Sequence, residues 1–163
     1  MLRSNVSNDR GFTLIESLVV VSIAGILISL AIPSLLAAQN RAKLSQSVDI
    51  VMGSLHEAQR EAMRRNQSCK LTLDKDNNKI KGEAGCLLSG DRYLPDPVRL
   101  NDTGTSPTIE YGIRGNTTSN KSIILELKDS PNNARCLTVS APLGIIRLGS
   151  YDSLNNSCKK LDR

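Results

Sequence analysis

Aromatic side chains are nearly missing from this chain. Its 163 residues hold no Trp, one Phe and three Tyr. That excludes the stacking platform with which proteins grip single-stranded nucleic acid, and it leaves Leu, Ile and Val to build any core. Histidine is as scarce. His56 stands alone, on the flank of a helical pattern, where a surface position is expected. No HExxH zinc helix, GxSxG elbow or P-loop occurs, and none of the four cysteines stands in a CxxC spacing. Asp74 and Asp76 share a polar turn with Lys75 and Asn77, which reads as turn chemistry rather than an acid pair. The expectation is a protein that is not an enzyme, with no catalytic residue, no metal and no cofactor.

The most informative lack is of charge. Residues 17–40 contain no Asp, Glu, Lys or Arg over 24 positions, many of them Leu, Ile, Val and Ala. About 20 such residues suffice for a helix to cross a bilayer. A secretory signal would have a shorter apolar stretch ending in a small-residue cleavage site. Arg3 and Arg10 precede the run, so the positive-inside rule leaves the N-terminus in the cytoplasm and the body across the membrane. Glu16 sits at the edge of the run. An acid there is costly, and intramembrane acids carry a functional reading by default.

Beyond residue 40 the pattern stays helical. Leu44, Val48, Val51, Leu55, Ala58 and Ala62 recur at spacings of three and four, an amphipathic stripe that ends near Asn66. Glu61 and Arg65 are placed to pair at i, i+4 on the outer face. Pro33 removes one backbone bond from the apolar half, so a bend or local melting is expected there. Gly25 and Ser29 form a small-xxx-small pair.

After residue 66 the period changes to two. Strands are expected at 69–73, around Ile80, at 109–111, 123–127, 135–139 and 143–148, with residues 82–107 as a loop and Pro131-Asn132-Asn133 as a hairpin turn. The fold class is α+β: one long N-terminal helix packed on an antiparallel sheet. Cys69, Cys86, Cys136 and Cys158 all follow the apolar run, and an even count beyond a membrane anchor points to disulfides in an oxidising compartment. Three pairings exist. Cys69 with Cys86 and Cys136 with Cys158 are favoured because each closes a local loop, worth about 3 kcal/mol apiece.

Gly11-Phe12-Thr13-Leu14-Ile15-Glu16, followed by this apolar run, resembles the signal of type IV prepilins and pseudopilins. The resemblance implies a leader of residues 1–11 cut by a prepilin peptidase after Gly11, and methylation of the new amino group of Phe12. It also implies a role for Glu16 in attracting that ammonium during filament assembly. Residues 12–40 would then be the transmembrane and assembly helix, 41–66 its amphipathic continuation, and 67–163 a β-rich domain in the periplasm or on a surface filament. Pro33 also resembles the pilin position at which helices lose order in filaments.

Residues 54–66, 109–115 and the stretch 123–147 resemble the GspH/FimT group of minor pilins and pseudopilins. The implied partners are the peptidase, other pilins or pseudopilins, and the bacterial inner membrane. Some members of that group bind DNA through a Gly-Arg-x-Arg. Here the stretch reads Gly144-Ile145-Ile146-Arg147, so only Arg147 matches. A DNA-binding reading would rest on Arg147 with Lys159, Lys160 and Arg163 as salt-sensitive phosphate contacts. The net charge of +5 permits this without requiring it. A membrane-anchored binding protein is the reading from another class.

Overall fold

The computed structural model describes residues 13–83, 85–104 and 106–160. One helix, α1 (Leu14–Arg65), is followed by nine strands. The chain divides into two compact units at residue 40.

In the first unit α1 carries its apolar side chains exposed, Leu14, Leu18, Ile26 and Leu36 among them. Its hydroxyls are turned inward: Ser22 Oγ donates to the Leu18 carbonyl at 2.8 Å and Ser29 Oγ to that of Ile26 at 2.7 Å. A helix that satisfies its own polar atoms and exposes apolar ones suits a hydrocarbon surround.

In the second unit the stripe residues Leu44, Val48, Val51, Leu55, Ala58 and Ala62 are all buried. α1 ends where Asn66 takes a left-handed conformation, φ 52°, and the Gln67 amide donates to the Ala62 carbonyl. Glu61 is buried rather than outward. It pairs with Arg64 and not with Arg65: the Arg64 guanidinium forks onto both carboxylate oxygens, 2.7–3.1 Å away, and holds that carboxyl below its ordinary value. Spacings of three and four are both within reach on a helix, and Arg64 supplies the partner at three.

The strands form two antiparallel sheets rather than one. β1 (Cys69–Asp74), β2 (Lys79–Gly82), β3 (Arg92–Tyr93) and β5 (Thr108–Tyr111) order as β3-β2-β1-β5. β4 (Val98–Asp102), β6 (Lys121–Leu127), β7 (Ser130–Ser140), β8 (Ile145–Asp152) and β9 (Ser157–Lys160) order as β4-β6-β7-β8-β9. The presumed loop 82–107 therefore contains β3 and β4. The hairpin turn lies at Lys128-Asp129, with Leu127 paired to Ser130, and not at Pro131-Asn132-Asn133. Inward residues of both sheets join the helix stripe in one core that includes Leu71, Ile80, Ile109, Ile123, Leu125 and Leu137. Asn78 stitches the sheets together. Its amide donates to the Val98 carbonyl at 2.7 Å and its oxygen accepts from the Leu100 amide at 2.8 Å.

Both disulfides follow the local pairing. Cys69–Cys86 lies buried at the start of β1, with Cα atoms 5.4 Å apart. Cys136–Cys158 joins β7 to β9 with β8 between them, yet its Cα atoms are 5.9 Å apart. Two flat sheet spacings would be about 9.6 Å, beyond disulfide reach. β9 folds in over β8 at Gly149, where a Cβ would run into the Lys159 carbonyl and lie 2.8 Å from Cys158 Sγ. Gly149→Val is therefore expected to obstruct this bond. Thiol labelling of the unreduced protein should show a free Cys136/Cys158 fraction absent from wild type, while Cys69–Cys86 stays closed.

Candidate assembly site

Two regions carry the residues singled out by sequence. The first is the start of α1. Thr13 precedes the helix, and its hydroxyl accepts from the Glu16 amide at 3.3 Å. Thr13-Leu14-Ile15-Glu16 thus forms the Thr half of a capping box, with Glu16 at the third helical position. The acid stands one turn from the helix start, where the helix dipole favours negative charge. Gly11 and Phe12 lie outside the described residues. α1 runs through Pro33 as part of one helix.

The second region is the C-terminal hairpin. Arg147 on β8 is exposed and shares a small pocket with Thr138 and Cys158. Lys159 on β9 does not join it. Its ammonium lies 2.7 Å from Asp152 in the same hairpin. The Lys160 side chain and Arg163 lie outside the described residues. Among the described residues, Lys159 is thus ion-paired with Asp152.

That ion pair has a pH signature. Lys159 chiefly, with the Asn155 amide and the Leu154 backbone amide, lowers the Asp152 carboxyl from 3.8 to about 2. A carboxyl depressed on folding stabilises the native state above its unfolded value and loses that contribution as pH falls through the folded one. Wild type should thus exceed Asp152→Asn in stability above about pH 4. The gap should close as pH falls towards 2, in urea titrations of the detergent-solubilised chain.

Sequence reasoning missed two features. One is the buried Asp102–Lys121 pair at the end of β4, to which the exposed Lys75 adds a second cation. The other is Glu57, whose carboxylate accepts from the Leu88 amide and from Arg92, fastening the segment before and into β3 onto α1. Neither belongs to a motif. Alternation in 98–102 was the only signal available for Asp102, and it would have placed the acid inward.

The prokaryotic N-terminal methylation motif matches residues 6–32. The family of the type II transport protein GspH matches residues 48–143, more than half of the chain. The type IV minor pilin FimU of Pseudomonas aeruginosa superposes with a TM-score of 0.54 at 12% identity, over 70% of this chain and 92% of that one. The minor pseudopilin EpsH from the Type 2 Secretion System of Vibrio cholerae gives 0.49 at 13%, over 67% and 94%. No curated protein sequence matches significantly. With a methylation motif at its head and a β-rich body matched by the family model, the chain belongs to the GspH family.

Proposed function

We propose that this chain is a minor pilin or pseudopilin, a structural subunit made as a prepilin, anchored by α1 and drawn from the membrane into a filament. The observation that carries the reading is the start of α1: a capped acid just before the charge-free run 17–40, within a matched methylation motif. On this reading residues 1–11 are the leader and Phe12 becomes the methylated N-terminus. Residues 12–40 are the membrane and assembly helix, 41–66 its continuation, and 67–163 the extracytoplasmic domain. The helix is long and apolar enough to span a membrane. Partners are the prepilin peptidase and neighbouring filament subunits. DNA contact through Arg147 gains no support from the ion-paired Lys159.

Intact mass from cells that carry the peptidase tests the reading. Loss of residues 1–11 and gain of one methyl group are expected; a full-length, unmodified N-terminus would count against it. Crosslinking in those cells should capture other pilin-like subunits. Type II pseudopilins among them would assign the chain to secretion, and a major type IV pilin would assign it to a pilus.

A further inference from the structure

Seven large apolar side chains beyond residue 40 are exposed among the described residues, and four of them stand at one end of the second unit: Met63, Ile113, Leu143 and Ile145. Three segments bring them there. Gln59 Nε2 on α1 donates to the Gly115 carbonyl at 2.8 Å. Gly144 lies so close to that loop that a Cβ would be 2.7 Å from the same carbonyl oxygen. A Cβ on Gly115 would lie 3.1 Å from Met63 Sδ, and the Thr117 amide donates to the Pro142 carbonyl at 3.0 Å. The end of α1, the 112–115 loop and the β7–β8 turn thus pack on one another, with Ile113, Leu143 and Ile145 beside the two glycines. Single exposed aliphatics are ordinary, but four together mark an interaction surface.

The rim of this patch is cationic. Arg114 follows Ile113, and Arg147 lies on the same face of β8 as Ile145. Both are exposed, with no ion pair or hydrogen bond among the described residues. At the end of α1, Arg60 and Arg64 share one acid, Glu61. Glu110 alternates with the buried Tyr111, and its cross-strand neighbour is Lys70. Met63 is 23 residues beyond Asn40, about 35 Å of helix. On the reading of α1 as an anchor, that is out of reach of the bilayer. Aliphatic side chains give nothing to phosphates, and the chain lacks aromatics to stack on bases. A second copy meeting the same patch would set cation against cation.

We propose that this patch docks a different filament subunit, through an apolar surface of that subunit ringed by Asp or Glu. The proposal rests on the reading of this chain as a filament subunit. The aliphatic centre excludes water, and the Arg rim steers the approach and fixes register. A subunit that left the membrane earlier lies farther from it, so the distal end of α1 is the end that meets it.

The test is photo-crosslinking in cells that carry the peptidase and the other subunits. Benzoylphenylalanine is placed at 113, 143 or 88 in the full chain. Leu88 is as exposed as Leu143, but its amide is held by Glu57, about 200° round α1 from Gln59. Positions 113 and 143 should capture one other subunit with its own methylation motif, on a peptide that contains Asp or Glu, and position 88 should not. Arg114→Glu/Arg147→Glu should lower the yield at 143 about tenfold, the size expected of two reversed rim charges. Arg99→Glu, on β4, should leave it unchanged. Intact disulfide masses would show that the variants fold. Equal yields at all three positions, capture of lipid, capture of a second copy through the same patch, or no loss in the double variant would each overturn the proposal. Capture of DNA would overturn it in favour of the nucleic-acid reading. If the chain enters filaments and neither 113 nor 143 captures a subunit, the patch alone falls. If the chain is neither processed nor found in filaments, the subunit reading falls first, and the patch with it.

Discussion

Glu16→Leu is expected to abolish entry into filaments while leaving membrane insertion intact or improved. The magnitudes decide this. A carboxylate near the bilayer centre costs about 2.5–3.5 kcal/mol on insertion scales, less towards the interface. The helix dipole returns about 0.3–1 kcal/mol to an acid in the first turn, which is where Glu16 lies. Capping therefore does not offset the cost over most of the bilayer depth, and Leu would be the better anchor residue. What remains is an interaction made only in the assembled state. A carboxylate and an ammonium 4 Å apart attract by about 4 kcal/mol at an effective dielectric of 20, and losing that would lower incorporation by up to about three decades. Glu16→Gln separates charge from shape: it retains a similar side chain and should fail as Leu does. Immunoblots of sheared filaments against membranes measure the partition. Wild-type levels of either variant in the filament fraction would remove Glu16 from assembly.

The anchor, the stripe and its stop were legible because each is a run of one physical character. A charge-free segment, an apolar repeat of three and four, and an Asn able to take a left-handed conformation need no tertiary information. β4 was hidden because Pro95 and Pro97 come just before it and polar Arg99 and Asn101 face out, so its alternation reads as loop. β9 has no apolar residue but Cys158; its strand character comes from pairing with β8 and from the bond to Cys136. Sequence gives charge without partners, so the ion pair of Lys159 with Asp152 could not be read from it. Met63, Ile113 and Leu143 meet in one patch only through the packing of α1 on two loops, which no local pattern encodes.

The same blindness conceals the largest structural liability, Asp102. Its side chain is 0% exposed, with one oxygen 3.3 Å from the Lys121 ammonium and the other on that of Lys75. The Lys121 side chain is 6% exposed, and its ammonium also donates to the Ser106 carbonyl. Lys75 is different, with 42% of its side chain in solvent. Removing the acid strands a buried ammonium, so Asp102→Ala is expected to cost about 3–5 kcal/mol. Lys75→Ala leaves Asp102 with Lys121 and removes only a partly exposed cation, so about 1 kcal/mol is expected. Against a total stability of about 5–15 kcal/mol, the first is a large fraction and the second is not. Replacing both buried charges, Asp102→Leu with Lys121→Met, leaves no unpaired ion and should recover most of the loss, because a buried pair offsets little more than its own desolvation. Urea titrations with both disulfides intact, read as a double-mutant cycle, separate these cases. If Asp102→Ala costs no more than Lys75→Ala, Lys121 reaches water in the variant. The cluster would then be a surface ion pair, not the bolt that joins the β1–β2 turn, the end of β4 and the start of β6.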